Sequence, residues 1–182
     1  YSLSARSPEE RIAFDALLGL RDTAPPKLAV VVVDAGQLSR NLYLAIQILE
    51  LDVPVVLCLN MIDEVKTNPP DPKRLGLALG VPCVATSARL GKGIDELKSA
   101  IFTAIKKPPR ARPPIEYSPA LVADAQDLGR SLPENLQTGV APRLSLALWA
   151  LSSIDDDELN DIPRTLRDHC QRIRENQGKR DL

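Results

Sequence analysis

Aromatic residues make up only 3% of this 182-residue chain, which has one His, one Trp and one Met. A core must therefore be built from Leu, Val, Ile and Ala, within an apolar content of 44%. Neither sign of charge is in excess: 23 Lys and Arg stand against 24 Asp and Glu, a net charge of −1. That balance lacks the concentrated basic face of a nucleic-acid binder, so no nucleic-acid partner is expected. No apolar run approaches the ~20 residues that a bilayer-spanning helix needs. The length suits one medium domain or two small ones.

Cysteine is scarce as well. Cys58, Cys83 and Cys170 are far apart and form no C-x-x-C pair. They read as small buried hydrophobes in a reducing compartment. His169 adjoins Cys170, but neighbours on a helix point about 100° apart and chelate poorly. No metal site is expected, and the acidic run Asp155-Asp156-Asp157-Glu158 reads as a solvated loop leading into a helix.

What is present is a regular alternation. Ser7-Pro8-Glu9-Glu10 is a capping box opening a helix with Ile12, Ala16 and Leu20 on one face, stopped by Gly19 and Pro25-Pro26. Leu28 to Asp34 is a continuous β-branched run, the pattern of a parallel strand covered on both faces. Asn41 to Glu50 returns to helical spacing through Leu42, Ala45 and Leu49. A second strand is expected at Val53–Leu59 and a short helix at Lys73–Leu79, ended by Gly80. The third strand follows at Val81–Thr86. Ile94, Leu97, Ile101 and Ile105 mark a last helix, with Asp95 and Glu96 in its first turn and Lys106-Lys107 at its end, as the helix dipole favours. Strands alternating with helices imply right-handed crossovers and a parallel α/β sheet. Ligands in such sheets bind at the carboxyl ends of the strands.

The proline-rich stretch from Lys107 to Pro114 closes this unit. Beyond it the strand signals vanish. Ser118-Pro119 opens a helix carrying Leu121, Ala125 and Leu128; Pro142 opens one with Leu144, Leu148 and Leu151. A third, from about Asp161, carries Ile162, Leu166, Cys170 and Ile173, and the tail from Gly178 to Leu182 reads as frayed. The second unit is a small all-helical domain without catalytic features.

Chemistry concentrates at two strand ends. The second strand runs into Asn60-Met61-Ile62-Asp63, the third into Ser87-Ala88-Arg89. The two coplanar oxygens of Asp63 match the ring N–H and exocyclic amine of guanine, a donor pair that adenine does not offer. Asn60 can bond the base and tie neighbouring loops, and the Ala88 N–H can donate to the six-oxo group. Met61 offers an apolar stem to the base face. Asn-x-x-Asp alone is common in turns; both segments together, at successive strand ends, are harder to explain that way.

Asn60-Met61-Ile62-Asp63 and Ser87-Ala88-Arg89-Leu90-Gly91-Lys92-Gly93 resemble the guanine-specificity motifs of small-GTPase-like proteins. Tyr1 to Ser4 with Ser7-Pro8-Glu9-Glu10, Val32-Val33-Asp34-Ala35 and Arg40-Asn41-Leu42-Tyr43-Leu44 resemble FeoB, the prokaryotic ferrous iron transporter family. The resemblance implies a partial P-loop GTPase-like sheet over 1–107, a linker over 108–114 and a helical spacer domain over 115–182. It implies GTP/GDP as ligand, with Asn60, Met61 and Asp63 selecting guanine and Ser87, Ala88 and Arg89 closing over it. Tyr1, Ser2 and Leu3 would be a remnant of switch II. No G-x-x-x-x-G-K-[ST] loop occurs in the sequence. The segment carrying it, switch I and the Asp-x-x-Gly motif are expected before Tyr1, and Mg2+ only with them. The chain is therefore expected to be an N-terminally truncated fragment, impaired in GTP binding and hydrolysis, with no catalytic residue of its own. Its implied partners are guanine nucleotide and the membrane channel region of the same polypeptide, at the cytoplasmic face of the bacterial inner membrane, with room for a homo-oligomer. Two alternatives stay open: another small GTPase, of ribosome-assembly type, or a nucleotide-free interaction module.

Overall fold

The structure, a computed structural model, describes residues 8–19, 24, 26–109, 116–132, 143–153 and 164–180. The switch II assignment at Tyr1, Ser2 and Leu3, the cap at Ser7, most of the linker, the acidic run from Asp155 and the start of the last helix at Asp161–Ile162 lie outside the described residues.

Three strands, β1 (Ala29–Asp34), β2 (Val55–Asn60) and β3 (Cys83–Ala85), form one sheet in the order β1-β2-β3, with both pairings parallel. The alternation expected from the sequence is therefore the alternation observed. In register, Asp34 lies beside Asn60 and Leu59 beside Ala85, which brings the three carboxyl ends to one edge. β2 is the central strand and is buried from Val55 to Leu59.

β1 departs from expectation. Its run is continuous, yet only Val31 and Val33 are buried, while Val30 is 40% and Val32 58% exposed. An unbroken apolar run reports β propensity, not which faces are covered. β1 is an edge strand that pairs only with β2 among the described residues, and its second face lies open.

The crossover from β1 begins earlier than its apolar spacing suggested. Asp34 accepts a hydrogen bond from the Gly36 N–H at 2.7 Å, starting a 3-10 turn over Ala35–Gln37 that runs into α2 (Leu38–Glu50). Asn41 then donates back to the Gln37 carbonyl at 2.9 Å. Gln37 makes no side-chain cap, so no capping residue marked that start. In α3 (Pro72–Leu79) the signals are local: Asp71 accepts from the N–H groups of Lys73 (2.8 Å) and Arg74 (3.4 Å). Pro72 occupies the first turn, and Gly80 ends the helix at φ 70°. In α4 (Ile94–Lys106) the stripe Ile94, Leu97 and Ile101 is half-buried, Ile105 is exposed and Ala104 is the buried residue.

The chain divides into two compact units. The sheet and its helices α2 to α4 form one. The other holds α1 (Pro8–Leu18), α5 (Pro119–Arg130), α6 (Arg143–Ser153) and α7 (Arg164–Arg180), so α1 groups with the helices although it precedes β1 in sequence. The expected stripe of α1 is corrected: Ile12 is 70% exposed and Ala16 is exposed, while Asp15 and Leu18 are buried. Both faces have helical spacing, and packing selects between them. Ser118 caps α5 through the Leu121 N–H at 3.3 Å. Ala125 and Leu128 on α5 and Leu166, Cys170 and Ile173 on α7 are buried as their spacing predicted. α7 continues through Gly178, which had read as frayed. No helix among the described residues is long and apolar enough to cross a membrane.

Candidate functional site

The polar residues singled out in the sequence gather where β2 and β3 end. Asn60 is the last residue of β2. Its Oδ1 accepts from the backbone N–H of Ala88 at 3.0 Å and from the Thr86 hydroxyl at 3.1 Å. Thr86 is buried, and its Oγ1 lies 3.2 Å from Cys58 Sγ. This hydroxyl, missed by sequence reasoning, sits between the strand and the site. Its signal was a β-branched alcohol just before Ser87, which can fill a strand position and still bond laterally.

After Asn60 the chain turns sharply. Met61 adopts φ 62°, a left-handed conformation uncommon outside glycine. Its carbonyl accepts from the Glu64 N–H at 3.0 Å, and Ile62 N–H donates to the Thr86 carbonyl at 3.3 Å. The turn is thereby fastened to the end of β3, with Met61 exposed and Asp63 facing the second loop.

That second loop is built on a closed pair: Ser87 N–H donates to the Lys92 carbonyl at 3.0 Å, and Lys92 N–H donates to the Ser87 carbonyl at 3.1 Å. The Leu90 N–H reaches the Ser87 hydroxyl at 3.3 Å. Gly93 begins α4 at φ 75°, and a Cβ there would overlap the carbonyl oxygen of Ala85. Only glycine lets the helix start so close to the strand end.

Across the two loops, Arg89 Nη2 donates to Asp63 Oδ2 at 2.6 Å, with side-chain exposures of 70% for Arg89 and 14% for Asp63. A hydrogen bond from the Ser87 hydroxyl, and then the Arg89 guanidinium, hold the Asp63 carboxyl below its ordinary 3.8. Arg89 is shifted further upward by the same bond. All six residues expected at the site, Asn60, Met61, Asp63, Ser87, Ala88 and Arg89, are thus at one sheet edge. Two of the expected contacts are already satisfied within the protein: the Ala88 N–H by Asn60, and Asp63 by Arg89.

The arrangement offers a planar carboxylate, a carboxamide and a backbone N–H, groups suited to the edge of a planar heterocycle. Elsewhere, an open groove of about 530 Å³ lies between α3 and β3, lined by residues including Gly76, Leu77, Val81 and Cys83. It lies at the amino end of β3, away from the edge where parallel sheets take ligands. Burial raises the Cys83 thiol there to about 12. His169 lies in the helical unit. Its Nε2 is 3.2 Å from Asp127 Oδ2 and its Nδ1 is 3.1 Å from Ser131 Oγ.

Comparison with known proteins gives this geometry a family. Residues 1–101 match FeoB_N, ferrous iron transport protein B. The chain is 43% identical over 105 residues to the Fe(2+) transport protein A/Fe(2+) transporter FeoB fusion protein of Porphyromonas gingivalis, covering 57% of this chain and 12% of that protein. Among solved structures it resembles mGMPPNP-bound NFeoB from S. thermophilus, with TM-score 0.69 and 32% identity over 95% of this chain and 64% of that one. It also resembles a GDP-bound mutant of the S. thermophilus FeoB G-domain, with TM-score 0.71 and 32% identity over 98% of this chain and 67% of that one. The chain thus spans about an eighth of this curated relative, and its parallel sheet with flanking helices matches FeoB G-domain structures. By sequence match and by fold, this chain belongs to the family of ferrous iron transport protein B, FeoB.

Proposed function

We propose that the sheet-bearing unit recognises the guanine base of GTP and GDP, and that this region regulates a ferrous iron transporter from the cytoplasmic face of the membrane. The observation that carries the reading is the pairing of the two strand-end loops, Asn60 to Ala88 and Asp63 to Arg89, at the edge where parallel sheets bind ligands. Asp63 is assigned to the ring N–H and exocyclic amine, Asn60 and the Ala88 N–H to the remaining polar edge. Met61 and Arg89 border the base, and Ser87 fixes Asp63. The nucleotides named with the similar solved proteins, GDP and mGMPPNP, support the same ligand class. The helical unit is assigned the role of a spacer towards a membrane channel region of the same polypeptide.

The sequence holds no G-x-x-x-x-G-K-[ST] loop, and phosphate contacts supply much of a nucleotide's affinity. This chain is therefore assigned weak guanine binding and no turnover. Mg2+ belongs to that phosphate chemistry and is expected only with the loop that cradles the phosphates. The test is an NMR titration of the isotope-labelled chain with GDP and with ADP. Saturable shifts at Ala88 and Asp63 with GDP, and weaker ones with ADP, are expected. Equal responses to the two nucleotides would remove the reading.

A further inference from the structure

Building on that guanine reading, we propose that Arg89 is an intramolecular competitor for the base: its guanidinium occupies Asp63 in the free protein, and guanine binds by displacing it. The chemistry is one of mimicry. A guanidinium presents coplanar N–H donors in a rigid fork, and guanine presents its ring N–H and exocyclic amine in the same manner. Guanine would address both carboxylate oxygens, and Arg89 Nη2 already holds one of them, Oδ2, at 2.6 Å, where a base donor must come.

The two partners differ in freedom. Asp63 is 14% exposed, whereas the Arg89 side chain is 70% exposed. On ligand entry the carboxylate stays and the guanidinium leaves it, the arginine remaining beside the base, with no core residue disturbed. The free site is self-satisfied in a second place as well, because the Ala88 N–H is engaged by Asn60 Oδ1 at 3.0 Å. A base must therefore replace contacts the protein already makes. Displacing Arg89 costs the same for either purine, so the competitor lowers affinity, while the donor pair that only guanine offers to Asp63 does the selecting.

The test uses guanosine, which carries no charge, so any salt dependence of its binding reports on the protein's own charges. The labelled full chain is titrated at low and at physiological ionic strength, as wild type and as Arg89→Met, which keeps an apolar stem but no donors. At low salt Arg89→Met is expected to bind about two- to fivefold more tightly, the scale of an exposed ion pair. Wild-type affinity rises with salt as the competing pair is screened, and that of Arg89→Met stays flat. Arg89→Gln serves as the second variant, with unchanged spectra away from the site confirming the fold. Guanosine binding by wild type with no tightening in either variant, or with the same salt response in all three proteins, overturns the competitor and leaves the guanine site standing. No saturable guanosine binding by any of the three overturns the site, and the competitor with it.

Discussion

Asn60 Oδ1 and the backbone nitrogen of Ala88 are separated by 28 positions in sequence and by 3.0 Å in space. One side chain at the end of the central strand thereby fixes the path of the loop beyond the next strand. Replacing Asn60 with Ala leaves the Ala88 N–H and the Thr86 hydroxyl without that acceptor. A loss of about 1–2 kcal/mol is expected, chiefly from the buried Thr86 hydroxyl, since Ala88 is exposed. Urea unfolding of the sheet-bearing unit measures it, and amide exchange at Ala88 should accelerate in parallel. Unchanged exchange there would show that the loop does not rely on Asn60.

Base selection through Asp63 predicts a change of ligand. Asn at this position offers one acceptor and one amide donor, which suits xanthine, whose two-position carries an oxo group in place of the amine. Asp63→Asn should weaken guanosine binding and strengthen xanthosine binding, roughly tenfold or more between the two. Competition titrations with both nucleosides measure the ratio. A variant that loses both equally would place Asp63 outside base selection.

The acid response of the site has a definite sign. Bonds from the Ser87 hydroxyl and the Arg89 guanidinium depress the folded-state value of Asp63 below 3.8, its ordinary value. The associated stabilisation is fully present above that ordinary value and is lost as pH falls through the lower folded one. Base recognition should be insensitive to Asp63 titration throughout the neutral range. Carboxyl-carbon NMR of Asp63 reports the midpoint directly; a value above 3.8 contradicts the geometry.

Gly93→Ala tests the close approach of α4 to β3. The new Cβ meets the Ala85 carbonyl, and the φ of 75° disfavours any L side chain. A destabilisation of at least about 2 kcal/mol is expected, with shifted resonances at Ser87 and Lys92. Wild-type stability in this variant would mean that the helix start relaxes freely.

The open face of β1 predicts self-association. Val32→Lys puts a charge on a side chain that is 58% exposed on an edge strand. It should lower concentration-dependent association in sedimentation experiments with little change in melting temperature. Association that persists in the variant would place the contact elsewhere.

The comparison of sequence with structure divides along physical lines. Gly80 announced the end of α3 because a left-handed cap is a local matter, whereas the start at Asp71 and Pro72 was hidden in a proline-rich stretch that reads as loop. The strand ends at Asn60 and Ser87 were legible because parallel topology dictates where ligands sit. The exposure of Ile12 was not, since two stripes of α1 have equal helical spacing and only tertiary packing decides between them. The open face of Val30 and Val32 was hidden for a related reason: an unbroken apolar run does not say which of its faces is covered. Nor could spacing show that Arg89 reaches Asp63, because a long side chain finds its partner only when both loops are in place.

The state of the three thiols has a practical consequence. Cys58 is buried beside Thr86, while burial raises Cys83 to about 12 and Cys170 to about 11, so the reactive thiolate form of these last two is suppressed near neutrality. A cysteine introduced at exposed Lys92 should outpace all three towards maleimides. Fluorescent or spin labels can then be attached beside the candidate site with the native cysteines left in place.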